Sequence, residues 1–373
     1  QSGAQFFEQI NALLDGTPVT GAAVELTIDP DAQRAAWDAL GNRKGAVVAI
    51  EPATGRILAL VSKPTFDANL LASHVYGDVL DASRNYSENE DNPLVNRAIG
   101  GDLYPPGSVF KLVVAAAALE SGNYTTQSSF ENLSEYVLPG TSTPVFNSNN
   151  SSCGAGETVT LETALIRSCN IPFAMLAVEL GQDRIRAQAE LMGFGDEIEI
   201  PLAVTPSTYP EGMDLAQTGL SGFGQFDVRV SPLQMALVTA AIANQGVIMN
   251  PQLIKTVVAS NLNILSQPQP TVFSSPISRE TAGFLTRMMV DSVEIGVAGR
   301  AGISQVAVAG KTGTAENGPA EPYTLWFTGF APAEKPQVVV TVVIEDGGGI
   351  GQNGTGNQLA APIAKAVMEA VLE

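Results

Sequence analysis

Apolar and polar positions divide the chain into strand-like ends and a helical middle. Val24 to Asp29 reads as a short strand. Asp29-Pro30 followed by Gln33 to Leu40 reads as a capped helix, with proline near its first position and Gly41 just past its end. Ala46 to Ile50 and Ile57 to Ser62 are apolar runs on either side of Pro52-Ala53-Thr54-Gly55, the pattern of a hairpin. Further on, Ser108 to Glu120 is apolar and stops at Ser121-Gly122-Asn123. Ser231-Pro232 to Asn244 repeats that form, and Thr281 to Val293 carries helical periodicity. Three strand-like runs follow, Gln305 to Thr314, Thr324 to Phe330 and Val338 to Glu345, then a terminal helix from Leu359 to Leu372. A helix-like segment, Gln5 to Leu14, precedes all of these.

Strands at both ends with helices between predict an α+β fold, one sheet whose two halves close around a helical insertion. Short links between the last three strands favour antiparallel pairing. Gly122 to Glu157 is long, polar and rich in Asn, Ser and Gly. A loop of that length is uncommon unless it serves a purpose such as bordering a cleft.

With 373 residues, 45% hydrophobic and 15% charged, the chain is globular and long enough for one large domain or two ordinary ones. Its net charge of −19 disfavours nucleic acid and anionic lipid as partners. No apolar run approaches the ~20 residues of a membrane span, and Gln1-Ser2-Gly3-Ala4 lacks the basic start and apolar core of a leader. Two cysteines, Cys153 and Cys169, and one histidine, His74, leave too few ligands for a zinc site of those residue types. A Ser-His-Asp triad would have to use His74, which lies in a polar stretch and reads as a loop residue. An acyl-transfer serine in this chain needs another base.

Ser108 and Lys111 form the only Ser-x-x-Lys. Pro105-Pro106-Gly107 stops any helix before them and lets one begin at Ser108, so both side chains share a helix face one turn apart. The helix N-terminus offers free N–H groups suited to an oxyanion, and a lysine in dry surroundings has a lowered pKa and can act as base. Taken alone, the tetrapeptide is equally a capping serine with a surface lysine. Lys311-Thr312-Gly313-Thr314 lies on a strand-like run, with Gly310 and Gly313 allowing another backbone to approach. A strand edge with lysine and threonine hydroxyls can bind an extended peptide and its carboxylate; an edge lysine guarding against aggregation has the same pattern. Of seven lysines, two fall in these two motifs. Ser-x-Asn recurs along the chain, including at Ser87, Ser121, Ser148 and Ser168. Ser121 closes the helix that Ser108 opens, about 20 Å away at 1.5 Å per residue, and Ser87 precedes Ser108 in a charged loop. Ser148 in the long polar loop and Ser168 at a turn between helices both remain open on spacing. Gly219 to Gly224 and Gly347 to Gly356 lack the context of a dinucleotide site and read as turns.

Ser-x-x-Lys, Ser-x-Asn and Lys-Thr-Gly, in that order, resemble the signature of penicillin-binding proteins and serine β-lactamases. Asn96-Arg97-Ala98, Tyr104-Pro105-Pro106-Gly107-Ser108 and Val308-Ala309-Gly310-Lys311-Thr312-Gly313-Thr314-Ala315-Glu316 are similar to class B D,D-transpeptidases. So are Leu26-Thr27-Ile28-Asp29, Ser231-Pro232-Leu233-Gln234-Met235-Ala236 and Trp326-Phe327-Thr328-Gly329-Phe330-Ala331-Pro332. Thr163-Ala164-Leu165 before Ser168-Cys169-Asn170 most resembles the actinobacterial penicillin-binding protein A group, and this context selects Ser168 over Ser148. The resemblance implies a transpeptidase fold, a five-stranded antiparallel sheet flanked by helices with an all-helical subdomain at roughly 65–300. Residues 23–373 would form the transpeptidase domain, and residues 1–22 the remnant of a non-catalytic region or linker. It implies that Ser108 attacks the D-Ala-D-Ala carbonyl of a stem peptide and that Lys111 accepts its proton. Ser168 would relay a proton to the leaving D-Ala, and Asn170 would hold Lys111 and the substrate amide. Lys311 would keep the cleft positive, Thr312, Gly313 and Thr314 would bind the substrate or β-lactam carboxylate, and the N–H groups of Ser108 and Thr314 would form an oxyanion hole. No metal or organic cofactor is implied. Expected partners are peptidoglycan stem peptides, β-lactams and proteins of division or elongation, on the extracytoplasmic face of a membrane reached through an N-terminal anchor. That location permits a Cys153–Cys169 disulfide; two reduced, buried cysteines are the alternative. A D,D-carboxypeptidase and a serine β-lactamase share the motifs, and a β-lactam sensor or wall-binding module could share the fold.

Overall fold

The computed structural model describes residues 21–373 apart from 102 and 149, so the expected helix Gln5 to Leu14 lies outside the described residues. Strand β1 (Ala23–Leu26) leads to helix α1 (Pro30–Leu40). The Asp29 carboxylate accepts from Asp31 N and Ala32 N at 2.9 and 3.0 Å, and Gly41 closes the helix at φ +60°. The hairpin follows as β2 (Gly45–Ile50) and β3 (Ile57–Lys63).

Helices α2 (Ala68–Leu71), α3 (Tyr76–Ser87) and α4 (Lys111–Glu120) open the middle of the chain. The polar stretch after α4 is not one loop. It contains β4 (Ser129–Glu131), β5 (Tyr136–Val137) and β6 (Pro144–Val145); β5 pairs with β6, and β4 with β7 (Thr158–Thr160). Helices α5 (Leu161–Ile166), α6 (Asn170–Leu180), α7 (Gln182–Leu191), α8 (Leu215–Ser221) and α9 (Pro232–Ala243) follow. Next come the short strands β8 (Ile248–Met249), β9 (Ile254–Val258), β10 (Ile264–Ser266) and β11 (Val272–Ser274), then α10 (Arg279–Glu294). The helical middle thus carries small ribbons as well. The strand near Val24 joins one of them: β1 pairs with β9, not with the main sheet. Thr27 holds it there, its hydroxyl donating to Ile57 O and Gln252 O at 2.8 Å each.

Strands β12 (Ala309–Ala315), β13 (Thr324–Ala331) and β14 (Val338–Ile344), with helix α11 (Ala361–Leu372), complete the chain. The main sheet has five strands in the order β12-β13-β14-β2-β3, antiparallel throughout. Its central strands are buried on both faces, which is why they read as unbroken apolar runs rather than alternating ones. Successive residues still point to opposite layers. Ala46, Val48, Trp326, Phe330 and Val343 pack toward the helical middle, while Val47, Ala49, Phe327 and Val342 pack under α1 and α11. Strand β12 is left at the edge of the sheet, next to the turn that leads into α4.

Candidate active site

Two prolines at Pro105-Pro106 bar a helix from running into Ser108, because they lack amide donors and crowd a preceding turn. Gly107 then reverses the chain at φ +53°. Its N–H donates to Gly224 O at 2.9 Å, and a Cβ in its place would lie 2.9 Å from Thr314 O, a position only glycine leaves free. Gly107–Phe110 forms a 3₁₀ turn in which Lys111 N–H donates back to Ser108 O, and the α-helix starts at Lys111 rather than at Ser108. Side chains three apart eclipse in a 3₁₀ turn. Ser108, half-buried, and Lys111, fully buried, therefore stack on one side of the turn. Lys111 Nζ donates to Ser168 O at 2.7 Å and to Asn170 Oδ1 at 2.8 Å, with the Phe173 ring centroid 5.5 Å away.

Ser168 owes its position to the junction of α5 and α6. Helix α5 ends in two reverse hydrogen bonds, Ser168 N to Leu165 O at 3.1 Å and Cys169 N to Ala164 O at 2.9 Å. This is the Schellman arrangement, whose left-handed position usually holds glycine. Here Ser168 holds it, at φ +59°. Cys169, next in line, is bonded to Cys153 and makes no side-chain cap for α6. The cap comes from Asn147, 3% exposed, whose Oδ1 accepts from Asn170 N at 2.8 Å and Ile171 N at 3.1 Å. Phe146 O accepts from Asn170 Nδ2 at 3.0 Å. With Nδ2 turned to Phe146, Asn170 Oδ1 faces Lys111.

The third wall is β12. Lys311 is fully buried, so it is no solvated edge guard. Its Nζ donates to Ser168 Oγ at 2.6 Å and to Thr312 O at 2.9 Å. A Cβ on Gly313 would lie 3.1 Å from Pro106 O and 3.2 Å from Val109 Cγ1, so glycine lets the Ser108 turn settle against the strand. Thr312 is buried and Thr314 half-buried. Among the described residues no carboxylate forms an ion pair with Lys111 or Lys311. Burial holds Lys111 well below an ordinary lysine, and the neighbouring Lys311 charge lowers it further. Burial pushes Lys311 down to about 7. The structure thus brings Ser168, Asn170, Lys111 and Lys311 into one hydrogen-bonded group beside Ser108. Ser148 is exposed, Ser121 caps the far end of α4, and Ser87 is an exposed residue closing α3 rather than part of a loop.

Residues 45–369 match the penicillin-binding protein transpeptidase domain. The chain belongs to that family. It is 39% identical to the peptidoglycan D,D-transpeptidase PbpA of Mycolicibacterium smegmatis, covering 98% of this chain and 76% of the relative. Among solved structures, penicillin-binding protein A of Mycobacterium tuberculosis as a ceftriaxone acyl-enzyme superposes with a TM-score of 0.94 at 38% identity, covering 99% of this chain and 84% of that one. The penicillin G acyl-enzyme of the same protein gives 0.92 at 37% identity, covering 100% and 86%. The fold of this penicillin-binding family member is accordingly the α+β transpeptidase fold.

Two supports of the site lie outside the family motifs. Asn147 left no signal beyond its place in a polar loop. Glu345 is the first polar residue after an apolar strand, a pattern shared by many strand ends. Its Oε1 accepts from Arg97 Nε at 2.7 Å and from the Tyr104 hydroxyl at 2.6 Å, and Lys44 Nζ lies 3.2 Å from its Oε2. Tyr104 packs edge-on to Trp326 with centroids 5.9 Å apart, and Trp326 Nε1 donates to Pro105 O at 3.0 Å. The Pro-Pro-Gly entry to Ser108 is thereby pinned to the middle of the sheet.

Proposed function

We propose that this chain is a serine-type peptidoglycan D,D-transpeptidase that β-lactams acylate at Ser108. The observation that carries the reading is the pair of buried lysines, unpaired with any carboxylate among the described residues, that meet at Ser168 beside that serine, Lys111 also bonding Asn170. Lys111, whose pKa burial lowers well below that of an ordinary lysine, takes the Ser108 proton as Oγ attacks the carbonyl of the penultimate D-Ala of a stem peptide. N–H groups of Ser108 and Thr314 hold the developing oxyanion, each donor worth about 3 kcal/mol. The proton passes through the Ser168 hydroxyl to the nitrogen of the departing D-Ala as the peptide bond breaks. Asn170 steadies Lys111, and Lys311, Thr312 and Thr314 receive the terminal carboxylate alongside Gly313. An amine of a neighbouring stem peptide then takes the acyl group and frees Ser108. A β-lactam enters by the same steps, but its leaving nitrogen stays tethered.

This chemistry belongs to the extracytoplasmic face of the membrane, among proteins of division or elongation, with residues 23–373 acting as one transpeptidase unit. No described helix is long and apolar enough to cross a membrane. Mass spectrometry after incubation with penicillin G tests the reading. A long-lived adduct on Ser108, absent in Ser108→Ala, and transfer of a donor acyl group to an added D-amino acid are expected. Rapid loss of the adduct would point to a β-lactamase, release to water alone to a carboxypeptidase, and no adduct to a binding module.

A further inference from the structure

We propose that Gln225 terminates the peptide-binding edge of β12 and so sets how much of an extended donor peptide the cleft can pair with; this rests on the transpeptidase reading. Among the described residues strand β12 pairs on one side only, with β13. In an antiparallel ladder alternate residues turn their N–H and C=O to the same side. The Thr314 carbonyl lies on the unpaired side, since the Cβ that Gly107 lacks would meet it at 2.9 Å. Alternation puts the backbone groups of Thr312 and Glu316 on that side too.

At Glu316 the edge is already taken. With its amide turned to satisfy both groups, Gln225 donates from Nε2 to Glu316 O at 3.3 Å and accepts at Oε1 from Glu316 N at 3.1 Å. A primary amide here makes the two bonds that one residue of an added strand would make. The side chain is held on a short tether. Gln225 N donates to Leu220 O at 3.2 Å, and Gly224 O accepts from Gly107 N at 2.9 Å. A Cβ on Gly224 would lie 2.1 Å from Gly107 O, so this turn is wedged against the nucleophile loop.

An extended donor with its carboxylate at Lys311 and Thr312 runs antiparallel along the edge toward Glu316. It runs past the outward-facing backbone groups of Thr312, whose carbonyl also accepts from Lys311 Nζ, and of Thr314, and meets Gln225 one face repeat (about two residues) further on. The donor is read at its D-Ala-D-Ala end, and residues nearer the glycan must lift off the strand. Gln225 is a specificity-determining residue, not a catalytic one.

The test compares wild type, Gln225→Ala and Gln225→Leu, the leucine variant keeping the side chain's bulk. Acylation efficiency is measured with penicillin G, an N-acyl-D-Ala-D-Ala dipeptide and a pentapeptide ending in D-Ala-D-Ala. In wild type the pentapeptide should gain little over the dipeptide. In both variants penicillin and dipeptide should stay within about twofold; in Gln225→Ala the pentapeptide gains roughly fivefold for each backbone hydrogen bond released to it, while Gln225→Leu, which still fills the space, gains little. Hydrogen exchange at Glu316 N–H should quicken in the free variants and, in Gln225→Ala, slow again only with the pentapeptide. A wild type that already favours the pentapeptide many-fold, or variants that lose all three ligands together, would overturn the proposal. Wild type acylated by none of the three would overturn the transpeptidase reading instead.

Discussion

Ser168 occupies a backbone conformation that suits glycine, φ +59°, and the strain is tied to aiming its hydroxyl at Lys311. Replacing it separates the two effects. Ser168→Gly should raise unfolding free energy by about 1 kcal/mol in denaturant titrations, and lower penicillin acylation by roughly a hundredfold for want of the relay hydroxyl. The lysines set the pH dependence. Lys111 must be neutral to accept a proton, and burial favours that form by lowering its pKa well below an ordinary lysine's. Lys311 must be charged to receive a carboxylate, and in the free enzyme it gives up its proton as pH rises through about 7. Acylation efficiency for an anionic ligand should therefore fall on the alkaline side with a midpoint near that value, because this constant reports the free enzyme. Lys311→Arg, charged at every accessible pH, should remove that limb whatever its absolute rate.

Helix α6 begins with a cap borrowed from another part of the chain. Cys169 stands at the cap position with its sulfur bonded to Cys153, so Asn147 supplies the acceptor for Asn170 N and Ile171 N. Asn147→Ala should cost about 1–2 kcal/mol, as loss of a cap does. It should also slow acylation, because Asn170 loses the loop that turns its Oδ1 toward Lys111. Asn147→Asp keeps the acceptor at a helix N-terminus but loses the Nδ2 donor to Ser151 O at 2.8 Å, so it should recover only part of the stability in thermal unfolding. The long polar stretch from Gly122 to Glu157 is thereby accounted for, since it delivers Phe146, Asn147 and Cys153 to the start of α6.

Across the whole molecule, the sheet is assembled from the two ends of the chain, and Glu345 ties that assembly to the nucleophile loop. Arg97 is 3% exposed, so removing the charge opposite it leaves a buried guanidinium without its carboxylate. Glu345→Gln should destabilise by about 3 kcal/mol and slow acylation as Tyr104 and Pro105 loosen, read from Tm and penicillin-binding rate. Lys44→Met, removing the more exposed partner, should change stability by less than about 1 kcal/mol. The local signals were legible because they act over a few residues. Asp29-Pro30 with Gly41 bounds α1, Ser231-Pro232 opens α9, apolar runs mark the sheet, and Pro105-Pro106-Gly107 delivers Ser108 with Lys111 one turn on. Those features, with Lys311-Thr312-Gly313, were enough to indicate the fold class and the family resemblance and to single out Ser108 as the candidate nucleophile. Folding alone decided the rest. Lys311 and Ser168 meet across 143 residues of chain, and Glu345 and Arg97 across 248. Ser148 and Ser168 carry the same Ser-x-Asn pattern, yet only Ser168 stands at a helix junction facing a buried lysine. Asn147 and Gln225 act through single side-chain amides in loops, where no periodicity marks them. Their roles exist only once β12, the Ser108 turn and the start of α6 have closed on one another.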